Sequence, residues 1–339
     1  MSGQVDVPRP GFRLIELLVL IGVIAVVLAL LIPWIVQSRR ESERLACTTN
    51  LRQLALAALN YESAWGVYPS AGFGDLDPAS GARTWGQGIF TRLSPYLEQA
   101  ALYNTINFDF PPIAPANITA SATGLAVLWC PSDQSVGLNQ RVTSTIPYAN
   151  PGGWMQGYSS YGGSMGTWNL EVHPSDPTYA ARHAALNGVI FGDSAIPLRA
   201  ITDGTSNTLA FGEHAHGALP SNGPASGRSQ YHWWNSAHSY DTLITTFYPI
   251  NAPKQMALGW NDQATNLASG HPGGANAIFV DGSARFLKES IDSWPITPST
   301  GMPAGVSYDP ARRIYVVAPG KGLGILQKLS TRAGGEATP

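Results

Sequence analysis

A long apolar run near the N terminus constrains this chain more than any other feature. Between Leu14 and Val36 every residue is apolar, glycine or proline, except Glu16. At about 1.5 Å per residue, a helix from Phe12 to Val36 would be about 37 Å long, and the hydrocarbon core of a bilayer is about 30 Å thick. The run therefore predicts a membrane span. A carboxylate inside a bilayer costs a few kcal/mol, so Glu16 requires a partner or a function.

A cut between Gly11 and Phe12 would supply that partner. It leaves a free α-amino group on Phe12, four residues before Glu16. Such a cation, on the same subunit or on a neighbouring one, is a natural counter-charge for a carboxylate in lipid. The alternative is that Glu16 reaches toward water from a position near the helix end.

The tract from Gly11 to Val19, Gly-Phe-Arg-Leu-Ile-Glu-Leu-Leu-Val, resembles the prepilin-type cleavage and methylation signal of type IV pilins and type II secretion pseudopilins. This resemblance implies cleavage after Gly11 by a prepilin peptidase and N-methylation of Phe12. It also implies that Glu16 serves in processing and assembly. Arg13 stands where the family usually has a small polar residue.

Residues 1–11 form a short polar leader in which Arg9 is the only cation. A secretory signal peptide would have an apolar region of only about 7–15 residues, so an uncleaved anchor fits the longer run better. Arginines flank the run on both sides, and charge alone does not determine its orientation. The resemblance implies a single-pass protein of a bacterial inner membrane. Its leader would lie in the cytoplasm, and the bulk of the chain would be periplasmic or on the cell surface.

The helical pattern continues past Val36 and ends near Gly66, a residue that favours helix termination. The apolar stripe of this second half recurs at three- and four-residue steps. Its members are Leu51, Leu54, Ala55, Ala58, Leu59 and Glu62, while Arg52, Gln53 and Asn60 face elsewhere. We expect one helix with a membrane half, residues 12–36, and an amphipathic half, residues 37–65. The amphipathic half must pack on the domain that follows.

Residues 66–339 have the composition of a β-rich, loop-rich domain. The chain contains 36 glycines, 26 prolines and only 12% charged residues, with a net charge of −2. There is no basic excess that would attract nucleic acid, so we exclude that class of partner. The predicted fold class is α+β: a pilin-like N-terminal helix packed on an elaborated antiparallel β domain.

Several segments of this domain have strand character. The expected strands are Gly188–Phe191, Asn207–Glu213, Ala275–Val280 and Ser283–Leu287. The tract from Asp203 to Thr208 predicts a turn that leads into the second of them, because Asp-Gly favours positive φ. Asp281-Gly282 predicts a two-residue hairpin turn after the third.

The chain has two cysteines, Cys47 and Cys130. Outside the cytoplasm two cysteines usually pair, so we predict a disulfide between them. Closing a loop of this length stabilises a protein by about 4–5 kcal/mol in the chain-entropy model. The alternatives are two buried thiols and a metal site, and neither cysteine has a second ligand at zinc-site spacing.

Near the C terminus, His271 is followed after nine residues by Asp281-Gly282. This pattern resembles the His-x9-Asp-Gly motif of a large family of prepilin-type proteins whose function is not established. Further tracts that resemble that family are Cys47–Gln53, Cys130–Asp133, Ile201–Glu213 and Leu329–Glu336. His271 either does chemistry or hydrogen-bonds a loop while Asp281 makes the turn. No nucleophile is marked at a fixed spacing from it.

Two kinds of metal site remain open from the residue types. Asp203, Glu213 or Asp281 with backbone carbonyls could hold Ca²⁺, although no EF-hand spacing is present. His214 and His216 alternate to one face of a strand, which suits a transition metal. Ordinary packing or exposure is the alternative for both of these, and for His232 and His238 beside Trp233-Trp234.

We therefore predict a structural subunit that is pseudopilin-like and anchored in the membrane. A prepilin peptidase would process it, and it would assemble with other pilin-like subunits into a type II secretion or type IV pilus-like apparatus. The alternative is an anchored extracytoplasmic module that binds a glycan without forming filaments. Because no nucleophile–base pair or metal triad is assignable, we predict no enzymatic activity and, apart from the Ca²⁺ candidates, no cofactor.

Overall fold

A computed structural model describes most of the chain. The described residues are 14–72, 86–133, 135, 137, 139–143, 149–170, 172, 176–219, 224–254, 256, 259–297 and 300–335. The chain divides into two compact units, Met1–Glu43 and Arg44–Pro339. Gly11 and Phe12 lie outside the described residues, so the cleavage and methylation at these positions remain predictions.

The helices and strands are numbered in chain order. The helices are α1 Leu14–Trp65, α2 Ile89–Leu93, α3 Ala100–Tyr103, α4 Ile118–Ala122, α5 Tyr179–Ala185, α6 Ser239–Thr242, α7 Trp260–Ala264 and α8 Ile325–Lys328. The strands are β1 Gln140–Val142, β2 Trp154–Gln156, β3 Tyr161–Gly166, β4 Leu209–Glu213, β5 Leu243–Thr245, β6 Gly274–Phe279, β7 Ala284–Lys288, β8 Val306–Asp309 and β9 Ile314–Val317. Short 3₁₀ turns connect them, among them Pro224–Gln230 and Ala252–Lys254.

Helix α1 confirms the predicted long helix and its C-terminal end. It continues through Pro33 and ends at Trp65. Gly66 follows in the left-handed conformation, with φ +73°, and donates its N–H to the carbonyl of Glu62 at 2.7 Å. This is the usual glycine cap of a helix C terminus. By length and composition α1 is a candidate membrane span.

The C-terminal part of α1 belongs to the second unit and packs within its core, as the apolar stripe predicts. The buried helix residues are Cys47, Leu51, Leu54, Ala55, Ala57 and Ala58. Arg52, Gln53 and Asn60 are exposed, as expected. The stripe belongs to one hydrophobic core with Tyr161 of β3, Phe211 of β4 and Ile278 of β6. Burial against the central sheet therefore stabilises this part of the helix.

The central sheet has the order β5-β3-β4-β6-β7. Its strand pairs are antiparallel except β3–β5, which is parallel. Two smaller sheets are formed by β1–β2 and β8–β9. The arrangement confirms the α+β class, and strands β4, β6 and β7 confirm three of the four predicted strands.

The predicted hairpin between β6 and β7 is present, but its loop is one residue longer than expected. Phe279 donates its N–H to the carbonyl of Ser283, and Gly282 donates to Phe279, both at 2.9 Å. Gly282 has φ +83°, which gives a three-residue loop of the type that ends in a glycine bulge. Val280 belongs to this loop and not to β6. Its N–H donates to the carbonyl of Thr208, in the turn before β4, and not to β7.

The strand expected at Gly188–Phe191 is not formed, and this prediction was wrong. Val189 and Ile190 both donate their N–H groups to the carbonyl of Ser164 in β3, at 3.2 and 3.0 Å. The pairing of β3 with β4 covers only Tyr161 to Gly163, and this segment contacts β3 beyond that point. The segment is buried, as an apolar run should be, but two successive N–H groups that share one carbonyl do not form a β-ladder.

Candidate functional site

The two cysteines form the predicted disulfide. Cys47 of α1 is bonded to Cys130, which lies in the loop after the 3₁₀ turn Ala126–Leu128, with a Cα–Cα distance of 5.0 Å. Both residues are buried. The bond links the outer part of the helix to a loop of the same unit.

A carboxylate and an imidazole lie directly against this disulfide. Glu213 ends β4, and its Oε1 is 3.3 Å from Nε2 of His271. The same His271 nitrogen is 3.5 Å from Sγ of Cys130, and Glu213 Oε1 is also 3.5 Å from that sulfur. We call Cys47, Cys130, Glu213 and His271 the disulfide cluster. All four residues are buried.

Strand β6 holds the carboxylate of Glu213 in place. Asn276 donates its backbone N–H to Oε2 at 2.7 Å and its side-chain Nδ2–H to Oε1 at 2.9 Å. These bonds offset the cost of burying the carboxylate beside the disulfide. The sequence did not reveal the role of Asn276, because it depends on which strand lies next to β4.

The disulfide cluster unites four tracts that carry the family resemblance. The tracts are those beginning at Cys47, Cys130, Ile201 and His271, and each contributes one residue to the cluster. Segments that lie far apart in the chain therefore meet at one buried point.

Ser132 also contacts His271, but not in the arrangement of a hydrolytic triad. Its Oγ is 3.3 Å from Nε2 of His271, the nitrogen that faces Glu213. In a triad the nucleophile and the carboxylate contact different ring nitrogens. Ser132, His271 and Glu213 therefore cannot act as a proton relay in this geometry.

His271 and Asp281 lie at opposite ends of β6 and have separate partners. Asp281 is exposed, and its Oδ1 accepts the N–H of Ser283 at 2.8 Å within the hairpin loop. Gly282 supplies the positive φ of that loop. At about 3.3 Å per residue, a strand of this length keeps its two ends about 17 Å apart. The His-x9-Asp-Gly motif thus spans a strand and its turn.

The three Ca²⁺ candidates also have separate partners. Asp203 accepts the hydroxyl of Thr331 at 2.9 Å and the N–H groups of Gly334 and Gly335 at 2.6 and 2.9 Å. It therefore holds the C-terminal segment. Glu213 belongs to the disulfide cluster, and Asp281 belongs to the hairpin loop.

His214, His216 and His232 form a second buried group, the histidine cluster. The rings of His214 and His232 stack at 3.9 Å with an angle of 8° between their planes. Those of His216 and His232 are 5.6 Å apart. Lone pairs of stacked imidazoles lie in parallel planes and do not converge on one ion, so the stacked pair is not arranged as a chelate. His238 lies outside this cluster, half-buried at the start of α6.

Burial determines the protonation of the histidine cluster. It lowers the pKa of His214 and His216 well below the ordinary value, and lowers the pKa of His232 to about 4. Nε2 of His232 lies 3.0 Å from the carbonyl of Ala264, so that nitrogen carries the proton of the neutral ring. All three imidazoles are therefore neutral at pH 7.

Within the described part of the chain, the disulfide cluster is the one group of ligand-type side chains whose ligand atoms all lie within 4.8 Å of one another. Its sulfurs are joined to each other, and a metal ion would require them as thiolates. The cluster as it stands is therefore a covalent and polar contact between α1, β4 and the segment before β6.

The family described as "Protein of unknown function (DUF1559)" matches residues 37–293. The match begins directly after the predicted span, and it includes the disulfide cluster and the histidine cluster. Comparison with curated proteins and with solved structures finds no significant match. The matched region covers most of the chain, which therefore belongs to this family of unknown function.

Proposed function

We propose that this chain is a membrane-anchored, pseudopilin-like structural subunit. It assembles through its N-terminal helix into a type II secretion or type IV pilus-like apparatus. The single observation that carries this proposal is the contrast along α1. The segment from Leu14 to Val36 leaves every large apolar side chain 43–77% exposed, whereas the segment from Cys47 to Ala58 is built into a folded core.

The segment from Leu14 to Val36 requires apolar surroundings, because its large side chains are apolar on all sides of the helix. A helix that is apolar on all sides is stable in lipid or packed among similar helices. A helix used only as an anchor needs no acidic residue, and Glu16 costs free energy there. Pairing of Glu16 with the α-amino group of Phe12 on a neighbouring subunit gives that carboxylate a role in assembly.

The disulfide supports a location outside the cytoplasm, because such bonds persist in oxidising compartments. In the proposed topology the helix crosses the inner membrane of a bacterium once. The leader faces the cytoplasm until a prepilin peptidase removes it, and the folded unit is periplasmic or on the cell surface. This role requires neither catalysis nor a bound cofactor.

Replacing Glu16 in the native host tests the proposal. Wild-type protein should begin at N-methylated Phe12 and should crosslink to copies of itself or to other pilin-like subunits. Glu16→Ala should be trimmed and inserted, yet it should lose these crosslinks. Glu41→Ala, on the same helix but outside the apolar run, is the matched control and should assemble normally.

Two outcomes would contradict the proposal. In one, mature protein from the native host still begins at Met1. In the other, Glu16→Ala crosslinks as well as wild type does. Either outcome favours the second candidate function, an anchored module that binds an extracytoplasmic ligand. A polar cavity in the second unit favours that alternative.

A further inference from the structure

A polar cavity of about 300 Å³ lies next to the disulfide cluster. Ser132 and Ser269 line it. The hydroxyl of Ser132 contacts the ring of His271, and the hydroxyl of Ser269 accepts the backbone N–H of His271. Residues from other loops complete the wall: Asp133, Ser135, Ala215, Gly217, Ala218, Arg228, Lys254 and Gly270. Six of the ten lining residues have polar or charged side chains, which can hydrogen-bond a hydrophilic occupant. The other four are glycine or alanine, which leave space for it.

Two cations, Arg228 and Lys254, line this polar cavity. Arg228 belongs to the turn Pro224–Gln230, and Lys254 ends the turn Ala252–Lys254. Among the described residues, no carboxylate oxygen lies within 4.0 Å of either cation. Lys254 donates one N–H to the carbonyl of Ser269 at 2.5 Å, which leaves two donors of its ammonium group.

Asp133 also lines the cavity, but its carboxylate oxygens already accept hydrogen bonds from the wall. Its Oδ2 accepts the N–H of His216 at 2.7 Å and the hydroxyl of Ser160 at 2.9 Å. Its Oδ1 accepts the N–H of Gly217 at 2.9 Å and the hydroxyl of Ser135 at 3.2 Å. Four neutral donors thus satisfy the oxygens of this carboxylate, which is buried in the wall. Two cations and one carboxylate leave the lining with a net positive charge, which favours an anionic ligand.

We propose that the polar cavity binds a small hydrophilic molecule with one anionic group, of the class of acidic monosaccharides. The planar fork of Arg228 suits two oxygens of a carboxylate or sulfate, and Lys254 adds a second positive charge. The volume reaches the range of small-molecule sites and is larger than a bare inorganic anion needs. Hydroxyls of Ser132 and Ser135 are suited to the uncharged part of such a ligand.

Isothermal titration of the full-length protein in detergent, at fixed ionic strength, tests the proposal. The probes are glucuronate, galactose 6-sulfate and, as the uncharged match, glucose. At least one acidic sugar should bind, and glucose should bind about tenfold more weakly or not at all. The two acidic probes distinguish a carboxylate ligand from a sulfate ester. Inorganic sulfate tests whether the sugar ring contributes.

Variants assign the binding to the polar cavity. Arg228→Gln and Lys254→Gln should each weaken binding about tenfold, while Lys254→Arg, which keeps the charge, should retain it. Arg199→Gln removes an exposed cation that does not line the cavity and should bind as wild type does. Unchanged thermal melting of each variant shows that it is folded.

The proposal is overturned if neither acidic sugar binds the wild-type protein. It is also overturned if Arg228→Gln and Lys254→Gln bind as wild type does, or if glucose binds as tightly as the acidic sugars. It is independent of filament assembly. Glu16→Ala should keep the binding whether or not it assembles, so the two proposals fail separately.

Discussion

His271 and Glu213 are the residues on which the disulfide cluster depends most. Their side chains meet at 3.3 Å in a buried environment, and Asn276 satisfies the carboxylate from the other side. A buried polar pair contributes little net stability compared with an apolar pair, but removing one partner is costly because the other is left unpaired. The pair therefore makes the local geometry sensitive to single substitutions.

Glu213→Gln should lower the free energy of unfolding by about 3 kcal/mol. Both oxygens of the Glu213 carboxylate accept hydrogen bonds from Asn276. A glutamine side chain has only one oxygen, so its NH₂ group would face a donor of Asn276 or His271 without an acceptor between them. Urea titration of the full-length protein in detergent measures the change. Glu98→Gln, at an exposed position, is the control and should change stability by less than about 0.5 kcal/mol. A Glu213→Gln variant as stable as this control would contradict the importance of the pair.

The histidine cluster should make the protein less stable in acid. An unfolded histidine has a pKa of about 6.5, and burial lowers the pKa of folded His232 to about 4. Between these values the unfolded chain binds a proton that the folded protein does not, so stability falls as the pH falls from about 6.5 to 4. Asp241 acts in the opposite sense, because burial raises its pKa to about 6.

Comparing wild type with His232→Gln separates the effect of the histidine on acid stability from the opposite effect of Asp241. The glutamine retains a donor for the carbonyl of Ala264 but does not titrate. The wild-type protein should lose about 3 kcal/mol more than the variant between pH 6.5 and 4. Unfolding free energies measured across this range test the difference. Equal pH dependence in the two proteins would show that His232 is not the titrating group.

At the scale of elements, α1 is a single helix with two different environments. Its first part is apolar all round and exposed. Its outer part buries only one stripe, and exposed residues such as Arg52 and Leu56 lie on the other face. Helical periodicity is a local property, so the stripe was predictable from the sequence, but the partner of the stripe was not. The sheet residues Tyr161, Phe211 and Ile278 supply that partner.

Leu54→Ala should therefore destabilise the second unit by about 2–5 kcal/mol, because it leaves a cavity in a closed core. Leu56→Ala, two residues away on the same helix, should cost less than about 0.5 kcal/mol. The first leucine is fully buried and the second is 60% exposed. Thermal melting of both variants in detergent makes the comparison. Similar losses for both would mean that the stripe does not pack on the sheet.

At the scale of the whole molecule, the disulfide and the sheet order bring distant segments together. The bond closes a separation of 83 residues, and the sheet places β6 next to β4 although β5 lies between them in the chain. Glu213 and His271 meet because of this order. The cavity cations Arg228 and Lys254 likewise come from separate turns.

Removing the disulfide with Cys47→Ser and Cys130→Ser together should lower the stability of the folded unit by about 4–5 kcal/mol in the chain-entropy model. Changing both cysteines avoids a reactive single thiol. Unfolding in urea, with and without a reductant, measures the effect. Reductant should destabilise the wild-type protein and leave the double variant unchanged. A double variant as stable as oxidised wild type would show that noncovalent packing alone holds the loop around position 130 against the helix.

Several features followed from the sequence alone because their physical cause is local. The apolar run marks the candidate span, the stripe marks the buried face of α1, and Gly66 marks the end of that helix. The disulfide was predictable because the chain has two cysteines, and two cysteines usually pair in an oxidising compartment such as the predicted extracytoplasmic location.

The tertiary structure alone decided the rest, since contacts between distant residues depend on which strands become neighbours. It placed His271 against Glu213 and the disulfide, away from Asp281, and it stacked His214 on His232. It also left Gly188–Phe191 without a strand, because Val189 and Ile190 share one carbonyl of β3 instead of forming a ladder with it. Periodicity along a chain specifies which face of an element is apolar, whereas strand order and edge occupancy specify what that face meets.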